Sequence, residues 1–367
     1  MLEIASPRAR LAPAFLRETN YWRISSPLIS ELTRAAAEDD EIAALCLATR
    51  PGQLPGLLIF YVVHYLLLKS PDARLAAYFP SLTDTPKPAR EAFPAFREFC
   101  LEHRAEIAEL LAWRTINTNL PEKATCLVPA LRYVEREAKE PLTLLELCCS
   151  AGLNMLFDDY HYDYGPAGRV GVPGSPVQLK CKIVGPNQPP IEAMPQIRYR
   201  VGVDLVKVDT SDPLEQLWMQ AVLAPEWRAE REHLKAALKI RNQRDLRILQ
   251  GDALEVVPSL LDELPGTLCV LMSYCIGHWS MAARTALDEL FRRASHHRPV
   301  HRLSVEMPDT EPAHAARTRL AQLAAARIPM LQKSAPSRID YTSYIDGEVR
   351  TTLLGEGDAF GVWLYWH

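Results

Sequence analysis

The chain has 367 residues, 48% hydrophobic and 23% charged, with a formal net charge of −4. That length can bury a large core and suits one big domain with an appendage, or two domains. The small negative charge gives no long-range attraction for nucleic acid or anionic membranes, so small-molecule chemistry is the default expectation.

Residues 1–17 lack the basic segment, apolar core and small-residue cleavage site of a signal peptide. The longest apolar stretch, Leu54 to Leu68, has 15 residues and contains His64. That falls short of the ~20 residues a membrane helix needs, so it reads as a core helix. Eight cysteines are scattered without any Cys-x-x-Cys, which fits a reducing cytoplasm. The expectation is a cytoplasmic protein with a small-molecule substrate and neither nucleic acid nor membrane as partner.

Residues 1–140 carry helical periodicity, clearest over Ser30–Leu47 and Ala92–Trp113, with Pro-Gly and Pro-Lys-Pro stretches between helices. Lys123 to Lys139 predicts a further helix that feeds into the run from Leu142. An all-helical cap domain over 1–140 is therefore expected, followed by an α/β domain over 141–367.

The run from Leu142 to Asn154 carries the most information. Leu142–Leu147 is near-continuously apolar, as a parallel strand covered on both faces must be. Ser150, Ala151 and Gly152 form a small-residue turn before an expected helix, the layout of nucleotide-type sites at the carboxyl edge of a doubly wound sheet. The first glycine of a Gly-x-Gly-x-Gly turn would fall on Cys148. A tight turn with no ligand is the competing reading.

Strands are expected next at Arg198–Asp204, Leu246–Gln250, Leu268–Ser273 and Arg302–Glu306, with helices around Pro213–Leu223 and Pro225–Arg241. The basic run from His296 to Arg302 reads as a solvated loop before a strand. Ile339–Ile345 and Glu348–Leu354 flank Asp346-Gly347, the strongest short hairpin signal, and Val362–Trp366 is the last strand. Alternation predicts a mostly parallel sheet. Five such units closed by an antiparallel pair is the plan of S-adenosylmethionine-dependent methyltransferases. Tyr160 to Pro195, rich in Pro, Gly and Tyr, predicts an inserted hairpin or lid around 158–197.

Glu146-Leu-Cys-Cys-Ser-Ala-Gly-Leu-Asn154 and Tyr160-His-Tyr-Asp-Tyr-Gly165 resemble a bacterial family of unknown function with a Glu-Leu-Gly-Ala-Ser-Ala-Gly-Leu-Asn signature. Thr118-Asn119, Leu127–Leu131, Gly202–Asp204, Gly251–Ala253 and Gly361–Trp366 match it as well. The resemblance implies a Rossmann-like methyltransferase fold with S-adenosylmethionine as cofactor, and it brings no settled activity. Two departures fall at the expected site: Cys148-Cys149 replaces Gly-Ala, and Ser273–Trp279 follows the fourth strand.

Glu146 would face the methionine end of the cofactor. Asp204, ending the second strand, can accept both ribose hydroxyls. The resemblance assigns Asp252 and Ala253 to the adenine, although Asp252 equally fits a helix cap. Cys148, Ser150, Gly152, Asn154, Ser273 and Asn119 complete the expected cofactor set. Tyr274, His278 and His161 are the candidate catalytic groups; Tyr160, Tyr162 and Tyr164 either shape a substrate pocket or pack a hairpin. Cys148, Cys149, Cys275 and His278 form an alternative metal or thiol cluster. A non-catalytic ligand-binding protein is the remaining alternative.

Overall fold

A computed structural model of the protein describes residues 6–23, 25–307, 336–358 and 360–367. Contacts separate two compact units, residues 1–118 with 211–235, and residues 119–210 with 236–367.

The first unit begins with α1 (Pro7–Trp22), α2 (Pro27–Ala36), α3 (Asp40–Cys46) and α4 (Pro55–Lys69). α5 (Ala73–Ala76), α6 (Phe93–Glu102) and α7 (Arg104–Trp113) follow. Ser6, Ser26, Asp39 and Asp72 cap four of these helices by accepting backbone N–H groups. The single helix expected over Ser30–Leu47 is two, because Asp39 takes the N–H groups of Glu41 and Ile42 and starts α3 there. The helix expected over Ala92–Trp113 also breaks, at His103 with φ −104° and ψ 19°. α4 is buried from Gly56 through Leu67, as a core helix that is apolar all round should be.

α8 (Ala124–Ala138) belongs to the second unit, where it packs on the sheet, whereas α9 (Pro213–Ala221) packs on α4 in the first. The division therefore differs from the boundary expected at residue 140. The amphipathic α8 turns its apolar face to the sheet of that unit. The chain passes between units again within α10 (Arg228–Arg241), ahead of α11 (Ala253–Glu263) and α12 (Met281–Ala294).

The second unit is a mixed α/β structure with a large, mostly parallel sheet. Its first strands are β1 (Leu142–Leu147), β2 (His161–Asp163), β3 (Arg169–Gly171), β4 (Gln178–Lys180), β5 (Lys182–Val184) and β6 (Ile197–Asp204). β7 (Arg247–Gln250), β8 (Thr267–Ser273) and β9 (Val300–Glu306) continue the chain. β10 (Ser337–Ile345), β11 (Glu348–Gly357) and β12 (Trp363–Trp366) end it. The large sheet has the order β5-β12-β11-β10-β9-β8-β1-β6-β7. β7, β6, β1, β8 and β9 are mutually parallel, so the five alternating strands lie in the order third, second, first, fourth, fifth. β10 is antiparallel to β9 and to β11. The β10–β11 turn holds Asp346 and Gly347 at φ 49° and 81°, the two positive φ values of a tight type I′ hairpin.

One face of β1, β6 and β8 packs Leu145, Leu147, Val201, Val203, Val270 and Met272 against α11 and α12. α8 packs on β9 and β10, with Tyr133 edge-on to Tyr341 at 5.6 Å. Every residue of β1 is buried, which explains why its sequence is apolar at all but Thr143 and Glu146.

Within the insert expected around 158–197, β2 and β3 pair antiparallel as a hairpin. β2, β3 and β4 form a separate small sheet, while β5 joins the far edge of the large one beside β12. Tyr160, Tyr162 and Tyr164 are fully buried, and their hydroxyls donate to the carbonyls of Leu153, Phe157 and Thr125 at 2.9, 2.6 and 2.8 Å. They tie the insert to residues 153–157 and to α8, in keeping with the packing reading of the two expected for them. The segment after the β1 turn is not an α-helix but a 3-10 stretch, Leu153–Asp159, kinked at Leu156.

Candidate functional site

The sheet order reverses between β1 and β8, where ligand crevices of open α/β sheets form outside the carboxyl strand ends. Several groups with unusual backbones or unsatisfied polar atoms collect there. Cys148, Ser150 and Gly152 have φ of 56°, 50° and 77°. Three alternate residues thus keep the backbone of a glycine-type loop, although two of them carry side chains. A left-handed non-glycine residue costs ~1–2 kcal/mol, and such strain concentrates at functional sites. Tyr274, just beyond β8, is a third strained non-glycine residue, at φ 54°.

Hydrogen bonds fix this loop. The Ser150 amide donates to Asp204 Oδ2 at 2.7 Å, and its hydroxyl accepts from Asn119 Nδ2 at 3.0 Å. Asp204 Oδ1 accepts the Val206 amide at 3.1 Å. Cys149 turns the other way, into the sheet: a Cβ on Gly202 would lie 2.5 Å from its sulfur. Gly202 is therefore required by close packing, and only Cys148 of the vicinal pair faces outward.

Cys148 is bonded to Cys275, whose Cα lies 5.9 Å away and whose sequence position is 127 residues downstream. Cys275 and Ile276 donate their amides to Glu306 Oε1, both at 2.9 Å. The carboxylate ending β9 thus fixes the loop after β8, as Asp204 fixes the loop after β1.

Glu146 is 1% exposed. Its Oε1 accepts from Asn154 Nδ2 at 2.7 Å, while Oε2 is buried with no hydrogen-bond partner. Burial pushes this carboxyl up to about 8, with the Asn154 hydrogen bond and the Lys123 charge pulling it down. Burial pushes the Lys123 ammonium down to about 8, opposed by Glu146 and then Glu306. Lys123 Nζ also stands 4.8 Å from the centroid of the Tyr274 ring. The Tyr274 hydroxyl pairs with Ser337 Oγ at 2.8 Å, and burial raises its pKa well above the usual phenol value. Ser273 Oγ is a second buried oxygen without a partner.

The structure therefore brings Glu146, Cys148, Ser150, Gly152, Asn154, Asn119 and Asp204 together around the β1 turn, and Ser273, Tyr274 and Cys275 at the neighbouring strand end. Asp252 serves as the N-cap of α11, accepting the Leu254 amide at 2.8 Å, and Ala253 is buried as the first residue of that helix. His161 belongs to β2 of the separate small sheet, with a buried Nδ1 that has no partner. The His278 side chain lies outside the described residues. Among the described residues no group of three or more His, Cys, Asp or Glu is arranged to hold a metal ion. Of the cysteines in the expected cluster, Cys148 and Cys275 are bonded to each other and Cys149 points inward.

Lys123 and Glu306 join the site without standing among the residues expected from sequence. Glu306 had a legible signal, since it ends the fifth strand as Asp204 ends the second. Lys123 stands immediately before α8 and carried no comparable mark.

A family model described as "Uncharacterized protein conserved in bacteria (DUF2332)" matches residues 14–366. The chain belongs to that family. No curated protein matches it. Among solved structures, the crystal structure of PH0226 protein from Pyrococcus horikoshii OT3 is similar over 61% of this chain and 73% of that chain, with 14% identity and a TM-score of 0.22. No described helix is long and apolar enough to cross a membrane.

Proposed function

We propose that this family member is a cytoplasmic S-adenosylmethionine-dependent enzyme that transfers a methyl group to a small-molecule acceptor, built on a Rossmann-like methyltransferase domain. The observation that carries the reading is the loop at the switch point: positive φ at residues 148, 150 and 152, tied to Asp204 through the Ser150 amide. The strand order third-second-first-fourth-fifth, with an antiparallel pair beyond it, supports the same reading. The kinked 3-10 segment after the turn is a departure from it, because a longer helix is expected there.

The donor set fits the cofactor. Glu146 and Ser273 each present a buried polar oxygen without a protein partner, which a ligand amine or hydroxyl can satisfy. Glu146 would hold the methionine end and Asp204 the ribose, whose carboxylate oxygens retain acceptor capacity beyond their backbone bonds. Asp252 and Ala253 would border the adenine. The cofactor supplies a sulfonium methyl group open to in-line displacement. The protein's part is chiefly to orient the acceptor and exclude water. Tyr274 and Lys123 would face the acceptor, with Lys123 as the group able to take its proton near neutral pH.

Isothermal calorimetry with S-adenosylmethionine tests the reading. Saturable binding to the parent chain, weakened in Asp204→Ala, supports it. Absence of binding to fully reduced protein removes it and leaves a non-catalytic or thiol-based role on the same scaffold.

A further inference from the structure

We propose that Cys148 is a site of reversible thiol–disulfide exchange, resolved by Cys275, and that the bond so formed closes the crevice between the β1 and β8 loops. Only the closing of the cofactor crevice rests on the proposed function; the exchange stands on the two cysteines themselves.

Position is the first argument. β1 and β8 pair in parallel with Leu147 opposite Met272, so the two loops emerge side by side where the strand order reverses. A bond between residues 148 and 275 crosses the place where a ligand of such a sheet would enter. Their Cα separation of 5.9 Å lies in the normal range for a disulfide.

Asymmetry of exposure is the second argument. Cys148 is exposed, and Cys275 is fully buried beneath it. An incoming reagent can reach the first sulfur and not the second, which sets Cys148 as the attacking thiol and Cys275 as the resolving one. The other six cysteines are buried and free. Burial pushes the Cys126 and Cys269 thiols up to about 12, which keeps them unreactive. A single bonded pair with one exposed member among eight cysteines suits a transient bond better than a stabilising framework.

The chemistry needs a low-molecular-weight disulfide as oxidant. The Cys148 thiolate attacks one of its sulfurs and releases one thiolate, giving a mixed disulfide. The Cys275 thiol then attacks the Cys148 sulfur and expels the second thiolate, which carries off its proton. The protein loses two electrons and two protons, and the reagent leaves as two thiols. Excess thiol reverses the sequence by attacking the exposed Cys148 sulfur. Both loops keep their anchors in either state, since Asp204 and Glu306 hold backbone amides and not the sulfurs. Reduction therefore removes the tie without unfolding the site.

The experiment equilibrates the full chain in glutathione buffers from reduced to oxidised, blocks free thiols and maps peptides by mass spectrometry. The expected result is a Cys148–Cys275 crosslink at the oxidised end, complete alkylation at the reduced end, and six cysteines reduced throughout. Cys275→Ser should accumulate a mixed disulfide with glutathione at Cys148, and Cys148→Ser should accumulate none. Glutathione retained on Cys148 in the parent chain without a crosslink would overturn the exchange. Calorimetry should then show S-adenosylmethionine bound at least ~10-fold more weakly by the oxidised chain, a coupling of ordinary size. Equal affinity overturns the closing of the crevice. If neither form binds the cofactor, the proposed function fails, and the gate is read from hydrogen exchange of residues 146–153 and 273–277. Slower exchange in the oxidised form supports it, and identical exchange overturns it.

Discussion

Asp204 accepts the Ser150 amide at 2.7 Å, so the carboxylate that ends β6 sets the backbone of the loop that ends β1. The same side chain also takes the Val206 amide at 3.1 Å. A residue read from sequence as a ribose ligand is thereby also a structural tie for a strained loop.

Asp204→Ala should lower both cofactor affinity and stability. Two charge-assisted backbone bonds disappear, and Ser150 loses the partner that helps hold its positive φ. A loss of ~1–3 kcal/mol in unfolding free energy is expected, with at least a tenfold weaker calorimetric affinity at a temperature where the variant stays folded. Asp204→Asn keeps one acceptor oxygen, enough for only one of the two amides, and should fall between the parent and the alanine variant. A stable variant with unaltered affinity would remove Asp204 from both roles.

Asp252 separates capping from cofactor recognition. It starts α11 by accepting the Leu254 amide, so Asp252→Ala should cost ~1 kcal/mol of stability. Asp252→Ser, another good N-cap, should restore most of it. If Asp252 also reads the adenine, both variants weaken binding, whereas a pure cap leaves the affinity of the serine variant unchanged. Denaturant melts beside calorimetry make the distinction.

The α/β alternation was legible because each buried strand is an apolar run bounded by turn residues, and Asp346-Gly347 marked its hairpin locally. Placing Glu146 and Asp204 at neighbouring strand ends needed only the alternation and parallel pairing. Helix breaks at Asp39 and His103 were hidden, since an apolar period continues across a cap that redirects the chain. The membership of α8 in the sheet unit, and of α9 in the helical one, depends on which apolar face covers which, a long-range choice that periodicity does not encode. The place of Lys123 in the site is hidden for the same reason. Its proximity to Glu146 and Glu306 arises from three segments distant in sequence.

The buried tyrosines of the insert give a stability test with a functional control. Tyr164 donates to the Thr125 carbonyl at 2.8 Å, and both residues are buried. Tyr164→Phe removes the donor and strands the carbonyl, so ~1–2 kcal/mol of stability should be lost. Cofactor affinity should not move, because the ring remains and keeps the insert packed. A selective loss of affinity with unchanged stability would return the tyrosine to a ligand-facing role.

Glu146 carries the sharpest pH prediction. Burial raises its pKa from the ordinary 4.5 to about 8, so the folded chain holds a proton that the unfolded chain has released between those values. The stability tied to that proton is fully present below about 4.5, declines as pH rises, and is lost above about 8. The slope contributed is roughly 1.4 kcal/mol per pH unit inside the window. Lys123, lowered from 10.5 to about 8, changes protonation between states only above that window, where its contribution runs the opposite way. Glu146→Gln retains an acceptor for Asn154 and cannot ionise. The difference in unfolding free energy between variant and parent, measured in denaturant at a series of pH values, should grow in favour of the variant from pH 5 to pH 8. Parallel curves for the two proteins would mean that Glu146 ionises normally in the folded chain, and that its unpartnered oxygen is no reservoir for a ligand's charge.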